Sequence, residues 1–448
     1  MNSWWPSWGR FALLATLIAA GAGAAPPARA ATEVVLAPAA PADAGFSAPR
    51  LARLNDAMHH AVDQGEVAGV MTMLVRHGKI VSYDAYGRDS IARGTKLQRD
   101  AIFRMYSQTK PITGVAMMML FEQGKWRLSD PVEKFIPQFA NLKVFVGLDK
   151  EGKPVVEAMK QRPTMAMLMT HTAGFGYGLR DDNYVDQQFQ KQGVLRANGL
   201  REAMLRIAGI PLLYQPGTRW SYSAAVDIQG YIVEQLSGQR FGDFLADHLF
   251  KPLGMKDSAF FAPAGQAGRL TAVYAVDRET GKLIELGGNG GAFAQDFTKP
   301  PALESGGAGA VSTVDDYARF CQMILNEGVY NGVRILAPAT VALMRSDHIP
   351  DTVVPEASTF GGPAIGGPLL GFGLDFAVSK QPTRMGSEVG AGTIWWGGAA
   401  GTWFWIDPKN DLFFLGMIQR FGGGAAGSAS LNTLSQTLVY AALTDPEK

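Results

Sequence analysis

Strand-forming sequence lies at the two ends of this chain and helix-forming sequence fills the middle, and that layout limits the fold more than any other feature. Near the start, residues 70–75 and 80–86 are two apolar runs separated by His77-Gly78-Lys79, the pattern of a β-hairpin. A helix precedes them, opened by Ser47 with Pro49 in its first turn, and Leu51, Leu54, Met58, Ala61 and Val62 recur at helical spacing. The C-terminal part returns to strands at 371–378, 393–396 leading into 403–406, and 412–418, followed by a helix over 431–443. Asp407-Pro408-Lys409-Asn410 supplies a turn between the last two strands. Between these ends the spacing predicts helices over 108–123 (halted by Gly124), 226–236 and 241–250. Ser312-Thr-Val-Asp315 reads as a capping-box variant opening a helix with Tyr317, Phe320 and Ile324 on one face. The expected fold class is therefore α/β in the α+β sense: an antiparallel sheet built from N- and C-terminal segments, flanked by helices. A mainly helical lobe, roughly residues 108–300, is expected as an insertion.

Composition narrows the function classes. With 448 residues, 47% hydrophobic and 18% charged, the chain has ample material for a core. Lys plus Arg is 41 against 40 acids, so there is no electrostatic reason to expect a nucleic-acid partner. The single cysteine, Cys321, excludes an intramolecular disulfide and any multi-cysteine metal site, and its place among apolar positions reads as a packed thiol. The six histidines are scattered, and His59-His60 reads as a solvated helix face rather than a metal site. No metal and no cofactor are expected.

Residues 1–30 read as an address. Arg10 supplies a positive n-region, residues 11–25 an apolar stretch, and Ala28-Arg29-Ala30 a small-x-small cleavage pattern. The apolar run is about 15 residues where a spanning helix needs about 20, so cleavage is favoured over an anchor. Removal of Arg10 and Arg29 leaves 39 basic against 40 acidic residues over 31–448. The expectation is a periplasmic or secreted protein with no stable membrane anchor; its oligomeric state is not written in the sequence.

The chemistry-bearing candidates lie in the strand and helix framework. There is no G-x-S-x-G elbow, H-E-x-x-H, G-x-x-x-x-G-K-[ST] or C-x-x-C. Ser107-Gln108-Thr109-Lys110 places a hydroxyl and an amine one turn apart at the start of a helix. A serine is a poor nucleophile until a base takes its proton, and a lysine kept neutral can do that. The helix N-terminus favours developing negative charge. Alone, S-x-x-K reads more readily as a helix cap and a surface lysine than as a catalytic pair. Tyr222, in Trp220-Ser221-Tyr222-Ser223-Ala224, offers a phenol as proton relay or a packed aromatic. Trp396-Gly397-Gly398 ends a strand, where glycines let backbone approach a ligand or simply turn. Tyr177 and Trp403 are pocket candidates, with core packing as the alternative.

In order and spacing these three segments resemble the penicillin-recognising serine hydrolases: class C β-lactamases, D,D-peptidases and, most of all, the family VIII carboxylesterases. Phe103-Arg-Met-Tyr-Ser107-Gln-Thr-Lys110 resembles the nucleophile motif of that esterase group, and Tyr222-Ser-Ala-Ala-Val-Asp-Ile-Gln-Gly230 its tyrosine motif. Trp396-Gly397-Gly398 stands where lactamases carry K-T-G. The stretches 168–174, 252–257 and 306–313 are similar as well, so the likeness runs from about residue 45 to the C-terminus. The resemblance implies that Ser107 forms an acyl-enzyme, that Lys110 and Tyr222 share the acid and base roles, and that the Ser107 and Ala399 N–H groups form the oxyanion hole. Trp396, Gly397 and Gly398 would contact substrate. His171 is, by the same pattern, a loop residue and not a triad histidine. Trp396 replaces a lysine that faces a β-lactam carboxylate, and Ala224 replaces an asparagine amide. An apolar ring does not pair with a buried carboxylate, so uncharged short-chain acyl esters, a small-molecule substrate class, are expected. A β-lactamase, a D-amino-acid amidase or D,D-peptidase, and a non-catalytic periplasmic binding module are the alternatives.

Overall fold

The computed structural model of this chain describes residues 36–277, 279–287, 295–357, 364–422 and 430–446. The expected signal segment, residues 1–30, lies outside the described residues. Helix α1 (Ala48–Asp63) follows Ser47, whose backbone is extended, and Pro49 sits in its first turn. Strands β1 (Gly69–Arg76) and β2 (Lys79–Ser90) form the N-terminal hairpin, closed by His77 (φ 52°) and Gly78 (φ 69°). Two successive left-handed residues give the twist that a tight hairpin needs.

Helices α2 (Lys110–Glu122), α3 (Met165–Met169), α4 (Tyr184–Lys191), α5 (Ala225–Ser237) and α6 (Val314–Leu325) follow. The C-terminal strands are β3 (Leu370–Phe372), β4 (Ala377–Ser379), β5 (Thr393–Gly397), β6 (Trp403–Asp407) and β7 (Leu412–Met417), and α7 (Leu431–Ala442) closes the fold. In space the strands run β2-β1-β7-β6-β5-β4-β3, all antiparallel. The N-terminal hairpin therefore joins the last strand through β1–β7 pairing, Leu412↔Arg76 to Met417↔Met71. The expected sheet from both chain ends is what forms. One parallel addition lies at its edge, where Ala37–Pro38 pairs with Lys79 and Ile80.

Period-2 alternation sorts the sheet into two faces. Trp403, Trp405, Leu412 and Phe414 pack with Leu51, Leu54 and Met58 of α1 and Val439 of α7. Phe404, Ile406, Phe413 and Leu415 face the other way, into the core shared with the helices. Cys321 is buried in that core.

Four local expectations change. The single strand expected over 371–378 is the hairpin β3–β4, because Gly373 N–H bonds the Phe376 carbonyl and Asp375 takes a left-handed φ of 66°. Periodicity cannot separate the two outcomes in an almost wholly apolar run. The cap of α6 is Thr313, whose Oγ1 accepts the Asp316 N–H; Ser312 instead pairs with Phe103 in a two-residue ladder. The helix expected from 108 begins at Lys110, preceded by a 3-10 turn over Tyr106–Thr109. The middle of the chain also carries hairpins, Lys143–Leu148 with Pro154–Ala158 and Val273–Val276 with Leu283–Leu286. The first turns at Asp149, whose Oδ1 accepts from Glu151 and Lys153 N–H, an Asx turn that Asp-Lys-Glu-Gly announces.

Candidate active site

Ser107 lies in the turn before α2 and is almost wholly buried. Its neighbour Tyr106 holds φ 44°, a strained region for a bulky residue, with its ring wedged against Phe297 (5.8 Å, edge-on) and Phe421 (5.2 Å). Packing therefore holds the turn in a shape that the local sequence does not favour. The stretch 306–313 runs beside it. Met105 N–H bonds the Ala310 carbonyl (2.9 Å), Ala310 N–H bonds Thr109 Oγ1 (3.1 Å), and Thr113 Oγ1 bonds the Gly306 carbonyl (2.8 Å).

Lys110 is fully buried. Its Nζ donates to the Gly307 carbonyl (2.7 Å) and the Tyr177 hydroxyl (2.9 Å), and reaches Ser107 Oγ at 3.5 Å. Burial pushes the ammonium down to about 7, against the attraction of Asp227 and Asp375. Tyr222 presents its ring to the same Nζ, 4.6 Å from the centroid, and its phenol interacts with Ser107 and the Trp396 indole. Burial raises its pKa, so it remains a phenol at neutral pH. The nucleophile, the amine and the phenol expected from sequence are thus brought together.

His171 holds the Tyr222 segment from both sides. Ser221 N–H bonds its carbonyl (2.9 Å) and Ser223 N–H bonds its Nδ1 (3.2 Å), while the ring packs on Tyr222 at 5.1 Å. Burial and the Lys110 charge push the imidazole well below its usual pKa. It is neutral, with Nδ1 occupied as an acceptor, and, unlike a triad base, makes no hydrogen bond to Ser107 among the described residues.

The end of β5 abuts the nucleophile turn. A Cβ on Gly398 would stand 2.3 Å from the Met105 carbonyl oxygen, and one on Gly397 would stand 2.8 Å from that of Thr402. The glycines therefore serve a close backbone approach, which brings the 397–399 segment alongside Ser107. Trp396 packs on Tyr222 (5.6 Å) and Phe372 (5.4 Å). Trp403 points to the other sheet face, where its Nε1 donates to Ser435 Oγ (3.2 Å), so it is a core residue and not part of a pocket here. A buried hydroxyl beside an amine of lowered pKa and a phenol is equipped for acyl transfer.

Comparison with known proteins agrees with this geometry. A family model described as Beta-lactamase matches residues 54–436. The chain belongs to the β-lactamase family. Esterase EstB of Burkholderia gladioli is 31% identical to it over 85% of this chain and 93% of that protein. Lovastatin esterase of Penicillium rubens is 28% identical over 80% and 90%. Among solved structures, EstCE1, a hydrolase with promiscuous acyltransferase activity, superposes at TM-score 0.69 with 24% identity, covering 88% of this chain and 99% of that one. Simvastatin synthase from Aspergillus terreus superposes at 0.74 with 21% identity over 88% and 99%, which shows the shared fold. This chain is a serine hydrolase of the β-lactamase family.

Within this β-lactamase-family site, four groups at Lys110 escaped the sequence reading of roles. Tyr177 is placed by Asp186 Oδ1, which accepts the N–H groups of Tyr177 (2.6 Å) and Gly178 (2.7 Å). Asp227 accepts from Ser305 Oγ (2.5 Å) and Gly307 N–H (3.3 Å). Asp375 accepts from Gln229 Nε2 (3.1 Å). Gly307 supplies the carbonyl. Asp227 lies five residues after Tyr222 in a motif already singled out, so a signal existed; Asp375, in an apolar strand run, carried none.

Proposed function

We propose that this protein is a carboxylesterase that hydrolyses uncharged, short-chain acyl esters through an acyl-enzyme on Ser107. The observation that carries the reading is the buried Lys110 Nζ between Ser107 Oγ and the Tyr177 hydroxyl, an amine kept near neutrality within reach of a serine. Ser107 Oγ bonds the ester carbonyl carbon as its proton passes to Lys110, directly or through Tyr222. The oxyanion is met by the N–H groups of Ser107 and Ala399. Collapse breaks the bond to the alkoxy oxygen, which leaves with the proton as an alcohol. Water then repeats the sequence and frees the acid. The aromatic wall of Tyr222, Phe372 and Trp396 favours apolar acyl groups over a carboxylate-bearing lactam. The relatives named as esterases support the ester class. Export is part of the reading: Arg10, the apolar 11–25 and Ala28-Arg29-Ala30 direct the chain to the periplasm or beyond.

Initial rates on p-nitrophenyl acetate, butyrate and octanoate beside nitrocefin, for the protein and its Ser107→Ala variant, test this. Ester turnover that disappears in the variant, with slow nitrocefin hydrolysis, is the expected result. Dominant nitrocefin turnover would replace the esterase reading with a β-lactamase, and preferential turnover of D-amino-acid amides would replace it with an amidase.

A further inference from the structure

Two carboxyl groups from distant parts of the chain lie near Lys110, and neither belongs to the acyl-transfer set above. Asp227 comes from α5 and Asp375 from the β3–β4 turn, and each is about 1% exposed. In both, Oδ1 is hydrogen-bonded, to Ser305 and Gly307 N–H in one and to Gln229 in the other. In both, Oδ2 has no hydrogen-bond partner among the described residues. Each Oδ2 also rests against a glycine. A Cβ on Gly307 would stand 2.8 Å from Asp227 Oδ2 and 3.3 Å from Lys110 Nζ, and one on Gly114 would stand 2.8 Å from Asp375 Oδ2. Gly114 lies one helical turn beyond Lys110 on α2. Buried carboxyl oxygens without partners are costly, and two such oxygens around one buried amine form a charge cluster.

We propose that Asp375 and Asp227 are positioning residues for the reaction, whose carboxyl groups flank Lys110 and hold on its Nζ the proton it takes from Ser107 Oγ. The inference rests on the reading of Lys110 as base. Both groups attract the lysine charge, while burial pushes Asp375 up to about 8 and Asp227 above its usual range. The charge of each group therefore weighs on the proton of the others. The other titratable groups facing Lys110 are Tyr177 and His171 of the 171–178 loop, Tyr222 before α5, and Ser107 on its own turn. None of these carries a negative charge at neutral pH.

Asp375→Asn is a clean test. Asn tolerates the left-handed φ of 66° and keeps an oxygen for Gln229. Asp227→Asn, which likewise keeps an acceptor for Ser305 and Gly307, is the second variant, run beside the first. Two readouts are taken against pH: the rate at which a phosphonate labels Ser107, and the nitrogen-15 NMR titration of Lys110 Nζ. Asp375, raised to about 8, is ionised only above that pH, where loss of its anion disfavours the ammonium that forms as Ser107 gives up its proton. We expect the plateau labelling rate above pH 8 to fall about tenfold in either variant, and the Lys110 titration to move about one pH unit toward acid in Asp227→Asn. A plateau rate unchanged in both variants, or a lysine titration that stays put or moves toward alkali in Asp227→Asn, overturns the proposal while leaving the esterase reading intact. A shifted titration in a protein whose Ser107 takes no label sustains the charge coupling and overturns the esterase reading.

Discussion

At the scale of the residue, burial leaves the Lys110 amine available as a base near neutral pH. In the proposed mechanism the amine is the working form, so kcat/KM on p-nitrophenyl butyrate is expected to rise with pH through about 7 and to be small below 6. His171, already neutral in that range, is not the source of the limb. In His171→Asn the plateau should fall as Tyr222 loses its support, with the limb in place; a pH profile that loses its limb in that variant would assign the titration to the imidazole. Gly307 shows how little space surrounds the amine. Its added methyl in Gly307→Ala would meet Tyr177 Oη at 2.5 Å and Asp227 Oδ2 at 2.8 Å. A displacement on that scale costs about 10²-fold in kcat, and an activity within threefold of the parent would show that the cluster yields freely.

At the scale of the element, the stretches 252–258 and 306–316 are hydrogen-bonded together, and 306–313 packs on the Ser107 turn. Asp257 N–H and Ser258 Oγ bond Asp316 Oδ2 (2.7 and 3.0 Å), Ser258 Oγ meets Ser312 Oγ (2.8 Å), and Arg269 grips Asp257 with two bonds (2.8 and 2.9 Å). Arg269 holds the Asp257 carboxyl below its usual range. A depressed folded pKa contributes stability that is present above the unfolded value near 4 and disappears as pH falls through the folded one. Arg269→Met should therefore lower stability by about 1–2 kcal/mol at pH 7. The gap between the two proteins should close below about pH 4, as urea melts at pH 7 and pH 3.5 would show. An equal gap at both pH values would mean that the arginine acts by packing alone.

At the scale of the whole molecule, the central ladder joins β1 to β7, strands more than 300 residues apart. Such pairing closes only after both ends of the chain are available, so the sheet is expected to form late and slowly. A chain ending at Asn410 lacks β7 and α7. It leaves β1 and β6 without their shared neighbour and the α1 face without Phe414 and Val439. It should show no cooperative thermal transition by circular dichroism, and a sharp melt in that truncated chain would overturn this account of the core.

The division between sequence and structure follows from the reach of each interaction. Ser107 and Lys110 share one helical turn, Tyr222 sits in a short run before a helix, and Trp396-Gly397-Gly398 ends one strand, so each piece of chemistry is written within a few residues. The hairpin at His77-Gly78, the alternation of β6 and β7 and the helical face of α1 are legible for the same reason: period and turn chemistry act locally. The left-handed turn at Tyr106 is not legible, because packing imposes it on a residue that does not prefer it. Nor are the partners of Lys110. Tyr177 lies 67 residues away and Gly307 lies 197. The chain by itself determined which groups could react. Only the tertiary structure decided the protonation of those groups, because burial and the placement of Asp227, Asp375 and Gly307 around one amine exist only when distant segments pack.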